Sequence, residues 1–530
     1  MQRKVLVQNI LLVFTIFVLT ALAGAEPLTQ QLKRGNVLPL RTALARGIQK
    51  NLDLQLTKLD IPIKAENVTI NDAEFDPLLN ASVASLGEKT PTSSASAIDD
   101  TDNLSVTGAD MGLQKKFRFG LESRLTFETS RSENNYLVDA LRPHYRDALI
   151  LDFTQPLLRD FGTKINTADL KISQNAVHQA AYGYTARAQG IGEEIEIAYY
   201  DLARALEILR YRIESRELAR ELLEGNRKKF GAGVVPVTEV QEAETAVASR
   251  DEQVIFARQQ VEIISNHLKD LLEIRPGDPL YEEIFVTEPF GEIEQNFPDL
   301  GKALGIALEK RPDLQQQRLE LANRDIRIEY YANKKLPRVD LETTLGVNGL
   351  SGGIRSAPFA GAPASTSYSG NYTDALSGMA SGDGYEWYIG LRFSYPFGNR
   401  AAQARHRRAT QEKRQVIYRL KRLEGTAETE VKNALVSVQR SIERVRVTER
   451  FEKLAQTTLT QEMERLKKGL SDTFRILNFQ DDLIESRIRK VTALGDFNKG
   501  LANLYRATGT NLERFNILAR INTEEISHNE

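Results

Sequence analysis

The chain has 530 residues with 70 basic and 72 acidic side chains, a net charge of −2, which gives no electrostatic case for nucleic-acid binding. It has no cysteine, which excludes disulfides, thiolate metal sites and thiol nucleophiles. Five histidines (His144, His178, His267, His406, His528) fall at no ligand spacing and read as surface or packing residues.

At the N-terminus, Arg3 and Lys4 precede an apolar run from Ile10 to Ala23, and Ala23-Gly24-Ala25 supplies small residues for cleavage. This predicts a secretory signal peptide over 1–25, cut between Ala25 and Glu26, rather than a retained anchor. No cysteine follows to take a lipid, and no other segment approaches the ~20 apolar residues of a spanning helix.

Next comes a repeat. Leu40, Ala43, Leu44, Lys50, Asp53 and Leu54 recur as Leu300, Ala303, Leu304, Lys310, Asp313 and Leu314, and the register holds to Pro77 and Pro337. Such self-similarity reads as a duplicated half-unit. It divides the chain into a first repeat over 26–298, a second over 299–510 and a tail over 511–530. Long proline-free spans mark where helices survive, since an interior proline costs ~3 kcal/mol. The pattern predicts helices at 38–74, 163–229, 237–273, 299–334, 400–467 and 473–507. The helices at 163–229 and 400–467 are then rods of ~100 Å each. Val240, Ala243, Val247, Val254, Ala257, Val261, Ile264, Leu268 and Leu271 recur at heptad-like steps, as do Ile476, Phe479, Leu483, Val491, Leu494, Phe497, Leu501 and Leu504. Those stripes suit coiled-coil packing.

Between the helices the period changes to two. From Phe117 to Glu128 the odd positions are mostly apolar and the even ones charged, polar or glycine; Leu149–Phe153, Val339–Val347 and Trp387–Tyr395 repeat the theme. Segments of ~10 residues with one apolar and one polar face fit a transmembrane barrel wall, with Arg118, Glu122, Arg124, Glu128, Asp340, Glu342 and Arg392 facing a wet lumen. If all helices share one side of the membrane, each half crosses an even number of times. Two strands are expected in each half, over about 78–156, where an extra hairpin is the alternative, and about 338–396, with a Gly/Ser/Ala-rich loop near 349–384. Four strands cannot close a barrel, because the smallest use about eight, and an open edge is forbidden in lipid, so the chain must oligomerise.

These features together resemble the TolC-like outer-membrane efflux protein family over about Leu38 to Gly509. The residues that carry the resemblance are Phe75-Asp76-Pro77, Gln155-Pro156-Leu157-Leu158 and Tyr395-Pro396-Phe397 at strand ends. Added to them are the helix-tip motifs from Gly233 to Ala243 and from Gly469 to Leu477, and the closing Leu501–Gly509. The resemblance implies an α+β membrane protein: a homotrimer, four strands per subunit in a twelve-stranded outer-membrane barrel, and a long helical periplasmic tunnel. It implies a passive exit duct for an efflux pump or type I secretion system, served by a periplasmic adaptor and an inner-membrane transporter, with no cofactor.

Tight turns at Gly233 and Gly469, where a left-handed residue lets the chain reverse, are expected at the helix tips and, by the resemblance, meet the adaptor. Pro77, Pro156, Pro337 and Pro396 mark the strand–helix junctions. Spacing from the tip glycines carries the family's entrance positions to Glu239, Glu242, Arg475 and Asn478. Known members are acidic where this chain has Arg475 and Asn478, which leaves two readings: Arg475 pairs with Glu239 or Glu242 across neighbouring helices, or these are exposed charges on a solvated helix face. Arg405-His406-Arg407-Arg408 forms a basic cluster, read first as a solvated helix face. No nucleophile elbow, phosphate-cradling loop or metal spacing supports an enzyme. A non-channel coiled-coil scaffold is the competing class, and it leaves the alternating strands unexplained.

Overall fold

The computed structural model describes residues 37–93, 100–135, 139–291, 293, 297–354, 366–382 and 384–517; the predicted signal peptide lies outside them. The chain folds into two compact units. One holds the chain up to Asp60, Ala180–Gln316 and the chain from Leu420; the other holds Ile61–Gln179 and Gln317–Arg419.

Two helix pairs match at a constant offset. α1 (Leu40–Lys50) and α2 (Leu52–Asp72) correspond to α5 (Leu300–Lys310) and α6 (Pro312–Asn333), and Ala43, Ala303, Leu54 and Leu314 are all fully buried. The single helices expected at 38–74 and 299–334 each break once. At Asn51 the side chain accepts from the Leu54 amide at 3.2 Å and so caps a new helix. Arg311 is extended because Pro312 follows it and occupies the first helical position, where a missing N–H costs nothing.

The long helices form as single pieces. α3 (Ala168–Gly231) has 64 residues and α8 (Arg400–Lys467) has 68; α4 (Val237–Leu271) and α9 (Thr473–Ala507) have 35 each. In the first unit the heptad stripes become core. Val254, Val261 and Leu268 of α4 are buried, and Ala303 and Ala307 of α5 join Val431, Val438 and Val445 of α8 and Phe497, Leu501 and Leu504 of α9. A two-residue parallel pair, β1 (Val37–Leu38) with β6 (Val286–Thr287), ties the start of the described chain to the connection after α4.

The second unit contains a six-stranded antiparallel sheet rather than the expected four. Its order is β2 (Leu78–Pro91), β3 (Thr101–Lys116), β4 (Glu122–Asn134), β5 (Leu141–Pro156), β7 (Arg338–Ile354) and β8 (Gly384–Ser394). The first half therefore supplies four strands and the second two, so a twelve-stranded wall no longer follows from three subunits. The run read as one strand from Phe117 begins with a reversal, and its strand starts at Glu122. Gly120 has φ +101° and its amide donates to the Phe117 carbonyl at 2.8 Å, while the Phe117 amide donates to the Leu121 carbonyl at 2.7 Å. A Cβ at position 120 would stand 2.7 Å from the Asp160 carbonyl oxygen, so only glycine fits. Arg118 thus leaves the lumen list: it sits in this turn and pairs with Asp72 at 2.7 Å. The loop expected between β7 and β8 also holds structure. α7 (Tyr372–Ser381) starts at a capping box on Asn371 and packs on β5 and β7, with Tyr372 edge-on to Tyr145.

Candidate functional site: a two-faced wall and the helix tips

Register makes the sheet two-faced from edge to edge. Val83, Ala109, Met111, Leu113, Leu125, Phe127, Leu149, Leu151, Leu345, Trp387, Ile389 and Leu391 follow one another across paired positions on one face. Many of these are bare; Val83 is 81% and Trp387 67% exposed. The opposite face carries Asp110, Gln114, Arg124, Glu128, Asp152, Asp340, Glu342 and Arg392. Several of these charges have partners on the same face: Arg392 meets Glu342 at 2.9 Å, Arg338 meets Asp340 at 2.6 Å, and Thr344 donates to Asp152 at 2.6 Å. The extra hairpin β2–β3 is in phase with this pattern, so it belongs to the wall rather than to a loop. Both edge strands, β2 and β8, have one side unpaired in the sheet. The junction prolines lie at its ends: Pro77 precedes β2, Pro156 closes β5, Pro337 precedes β7 and Pro396 follows β8.

At the other candidate site, α3 and α8 end in the same turn. Gly233 and Gly469 both have φ +73°, and the next amide reaches back to the last helical turn (Val234 to Lys229, Leu470 to Arg465, each 2.9 Å). Nothing lies within 4 Å of a Cβ built at either, so the backbone conformation alone demands glycine. Beyond the turns, Pro236 precedes α4, and Asp472 caps α9 by accepting from the Arg475 amide at 2.8 Å.

A buried polar node joins these hairpins. Thr473 Oγ1 donates to the Glu239 carboxylate at 2.8 Å and accepts from Asn226 Nδ2 at 2.7 Å; the same amide group donates to the Glu239 carbonyl at 3.1 Å. Thr473 and Asn226 are buried, and Glu239 is half-buried. Within the chain Arg475 meets neither Glu239 nor Glu242; it lies 3.5 Å from Asp472, and Arg475, Glu242 and Asn478 are exposed. Farther along, the buried Arg250 guanidinium donates to the Ser215 carbonyl (2.9 Å), Gln480 Oε1 (2.8 Å) and Asp481 Oδ1 (2.9 Å), binding α3, α4 and α9 together. Asn226, Arg250 and Thr473 were absent from the candidates read from sequence. Arg250 left a signal: the apolar series steps from Val247 to Val254 over the intervening core position that Arg250 fills.

Among the described residues no cluster of histidine or carboxylate side chains is placed to hold a metal, and no helix is long and apolar enough to cross a membrane. Residues 303–510 match the family described as outer membrane efflux protein. The chain is 26% identical over 481 residues to nodulation protein T of Rhizobium leguminosarum bv. trifolii, covering 89% of this chain and 85% of that one. Its fold is similar to that of the outer-membrane channel OprN (TM-score 0.62, 16% identity, 89% of each chain). It is also similar to the Campylobacter jejuni CmeC outer membrane channel (TM-score 0.60, 17% identity, 92% of this chain and 88% of that one).

Proposed function

We propose that this chain, which belongs to the outer membrane efflux protein family, is the outer-membrane exit duct of a tripartite pump or secretion system. The observation that carries this reading is the wall. Its apolar face runs from edge to edge over all six strands, interrupted by Lys115, Arg131 and the buried Asp147, most other charges lie on the opposite face, and both edges are open. A water-soluble scaffold has no use for such a face, and lipid forbids such edges unless another copy pairs with them. The family is one of channels, not enzymes, and its members conduct what is delivered to them.

Oligomerisation is also supported by helix faces that find no cover in one chain. Leu52, Leu56, Leu59, Ile63 and Ile70 form an exposed stripe on α2, and Tyr418, Val436, Val447 and Leu454 form one on α8. The assembly we propose is a homotrimer, which joins three six-stranded shares into eighteen strands. Barrels of sixteen to eighteen strands leave an aqueous channel. The helical part then lies in the periplasm, with the Gly233 and Gly469 turns toward an adaptor and an inner-membrane transporter. The entrance lies at Glu239, Glu242, Arg475 and Asn478, held shut in each subunit by the Glu239–Thr473–Asn226 node.

Planar-bilayer recording combined with native mass spectrometry of the purified protein tests this reading. Discrete conductance steps from a three-subunit species are expected. A monomer without conductance would defeat the channel, and a conducting dimer would defeat the eighteen-stranded trimer alone.

A further inference from the structure

We propose that the first turns of α8, with the cleft beside them, bind the phosphate head groups of anionic phospholipids at the helix-side border of the wall. This rests on reading the apolar face as lipid-facing. From Arg400 to Arg408 the helix carries four arginines and a histidine, and no carboxylate occurs before Glu412. Arg408 is matched by Glu412 at 2.8 Å and Lys413 by Asp325. Arg400, Arg405 and Arg407 are exposed, with no carboxylate partner among the described residues.

A cleft of about 450 Å³ gathers part of this charge. It is lined by Lys335, Tyr395, Asn399, Gln403, His406 and Arg407. Asn399 builds it: its buried side chain donates to the Lys335 carbonyl at 2.9 Å and so holds the end of the α6–β7 connection beside the start of α8. Tyr395 continues the alternation of Trp387, Ile389, Leu391 and Phe393, which places its ring on the apolar face, and Phe397 just beyond is fully exposed. The cleft therefore has apolar wall on one side and unpaired cationic groups on the other. That is the chemistry of a phospholipid border, where acyl chains lie along the wall and phosphate meets lysine and arginine. A soluble anion would use the charges and leave Tyr395 and Phe397 without purpose.

Lipid retention by the detergent-extracted protein tests the proposal without requiring conductance, so a failed channel and a failed lipid site are distinguishable. Native mass spectrometry would follow binding of phosphatidylglycerol and of phosphatidylcholine. Three proteins would be compared: wild type, a Lys335→Gln/Arg405→Gln/Arg407→Gln variant, and an Arg419→Gln/Lys421→Gln/Arg422→Gln control farther along the same helix. Wild type is expected to prefer phosphatidylglycerol, and the site variant to lose that preference at least tenfold, since each basic group contributes about a fivefold factor. The control should stay within about twofold, and added salt should weaken the preference. Equal loss in the control would overturn the proposal in favour of diffuse charge. Full displacement of the lipid by inorganic phosphate would overturn it in favour of a soluble-anion site.

Discussion

Glu196 offers a quantitative test of the helical unit. It lies on α3 with 1% of its surface exposed, and neither carboxylate oxygen has a hydrogen-bond partner among the described residues. Burial pushes its carboxyl from 4.5 up to about 8; the attraction of Arg514 opposes this and the nearby Glu193 adds to it. The Arg514 guanidinium itself lies over the rings of Tyr505 (4.7 Å) and Phe515 (5.4 Å). The folded chain thus keeps a proton that the unfolded chain releases above pH 4.5. Its contribution to stability is complete below that pH and is lost as the pH rises toward about 8. At about 1.4 kcal/mol per pH unit, the loss is on the order of 3 kcal/mol at pH 7 and 5 kcal/mol at pH 8. Glu196→Gln keeps the shape and removes the titration. Urea unfolding followed by helical circular dichroism at several pH values between about 5 and 8 should show the wild-type midpoint falling relative to the variant. Parallel pH profiles for the two proteins would refute the reasoning.

Other substitutions probe the buried network and the tips. Arg250→Ala removes three short hydrogen bonds and leaves the buried Gln480 side chain without its Arg250 donor, so its urea midpoint should fall by the equivalent of about 3 kcal/mol. An unchanged midpoint would count against the network. Thr473→Val removes both the donor to Glu239 and the acceptor for Asn226, a loss of about 2 kcal/mol from the proposed closed tip. Longer or larger conductance openings are expected, and wild-type openings would exclude the node as a latch. Arg475→Glu places an exposed negative charge at the proposed entrance and should shift reversal potentials toward cation selectivity; an unmoved reversal potential would remove Arg475 from the pore.

The four long helices were legible because their spans hold no proline, and in α4 and α9 heptad-like apolar steps coincide with that signal. The break before Pro312 was also in plain view, since the preceding residue is driven out of the helical region. The wall was read less well for a specific reason. Phe117 and Phe119 continue the alternation of β4 in phase, so only Gly120 betrays the reversal, while Gly108, Ala109 and Gly112 dilute the pattern of β3. The tip turns were visible in two glycines. Their polar node was not, because Asn226 and Thr473 are 247 positions apart and only the packed helices bring them together.

The additional hairpin is placed where it does least damage. β2 and β3 occupy one edge of the sheet, so the β5–β7 pairing that joins the two halves is the same with or without them. A hairpin also returns the chain to the side it left, and the β3–β4 turn lies at the same end of the sheet as the start of β2. Excising 78–121 should therefore leave a four-stranded share that still pairs correctly, with β4 as the new edge. Three such shares give twelve strands in place of eighteen. Barrel diameter grows roughly in proportion to strand number, so the open area should fall to about half. The measurement belongs in the Thr473→Val background, where the helix tips are not the main resistance, with native mass spectrometry to fix the subunit count. A trimer of the shortened chain with roughly halved conductance is expected. A trimer with undiminished conductance would mean that β2 and β3 do not line the pore, and a shift to another subunit number would mean that the β2 edge itself selects the oligomer.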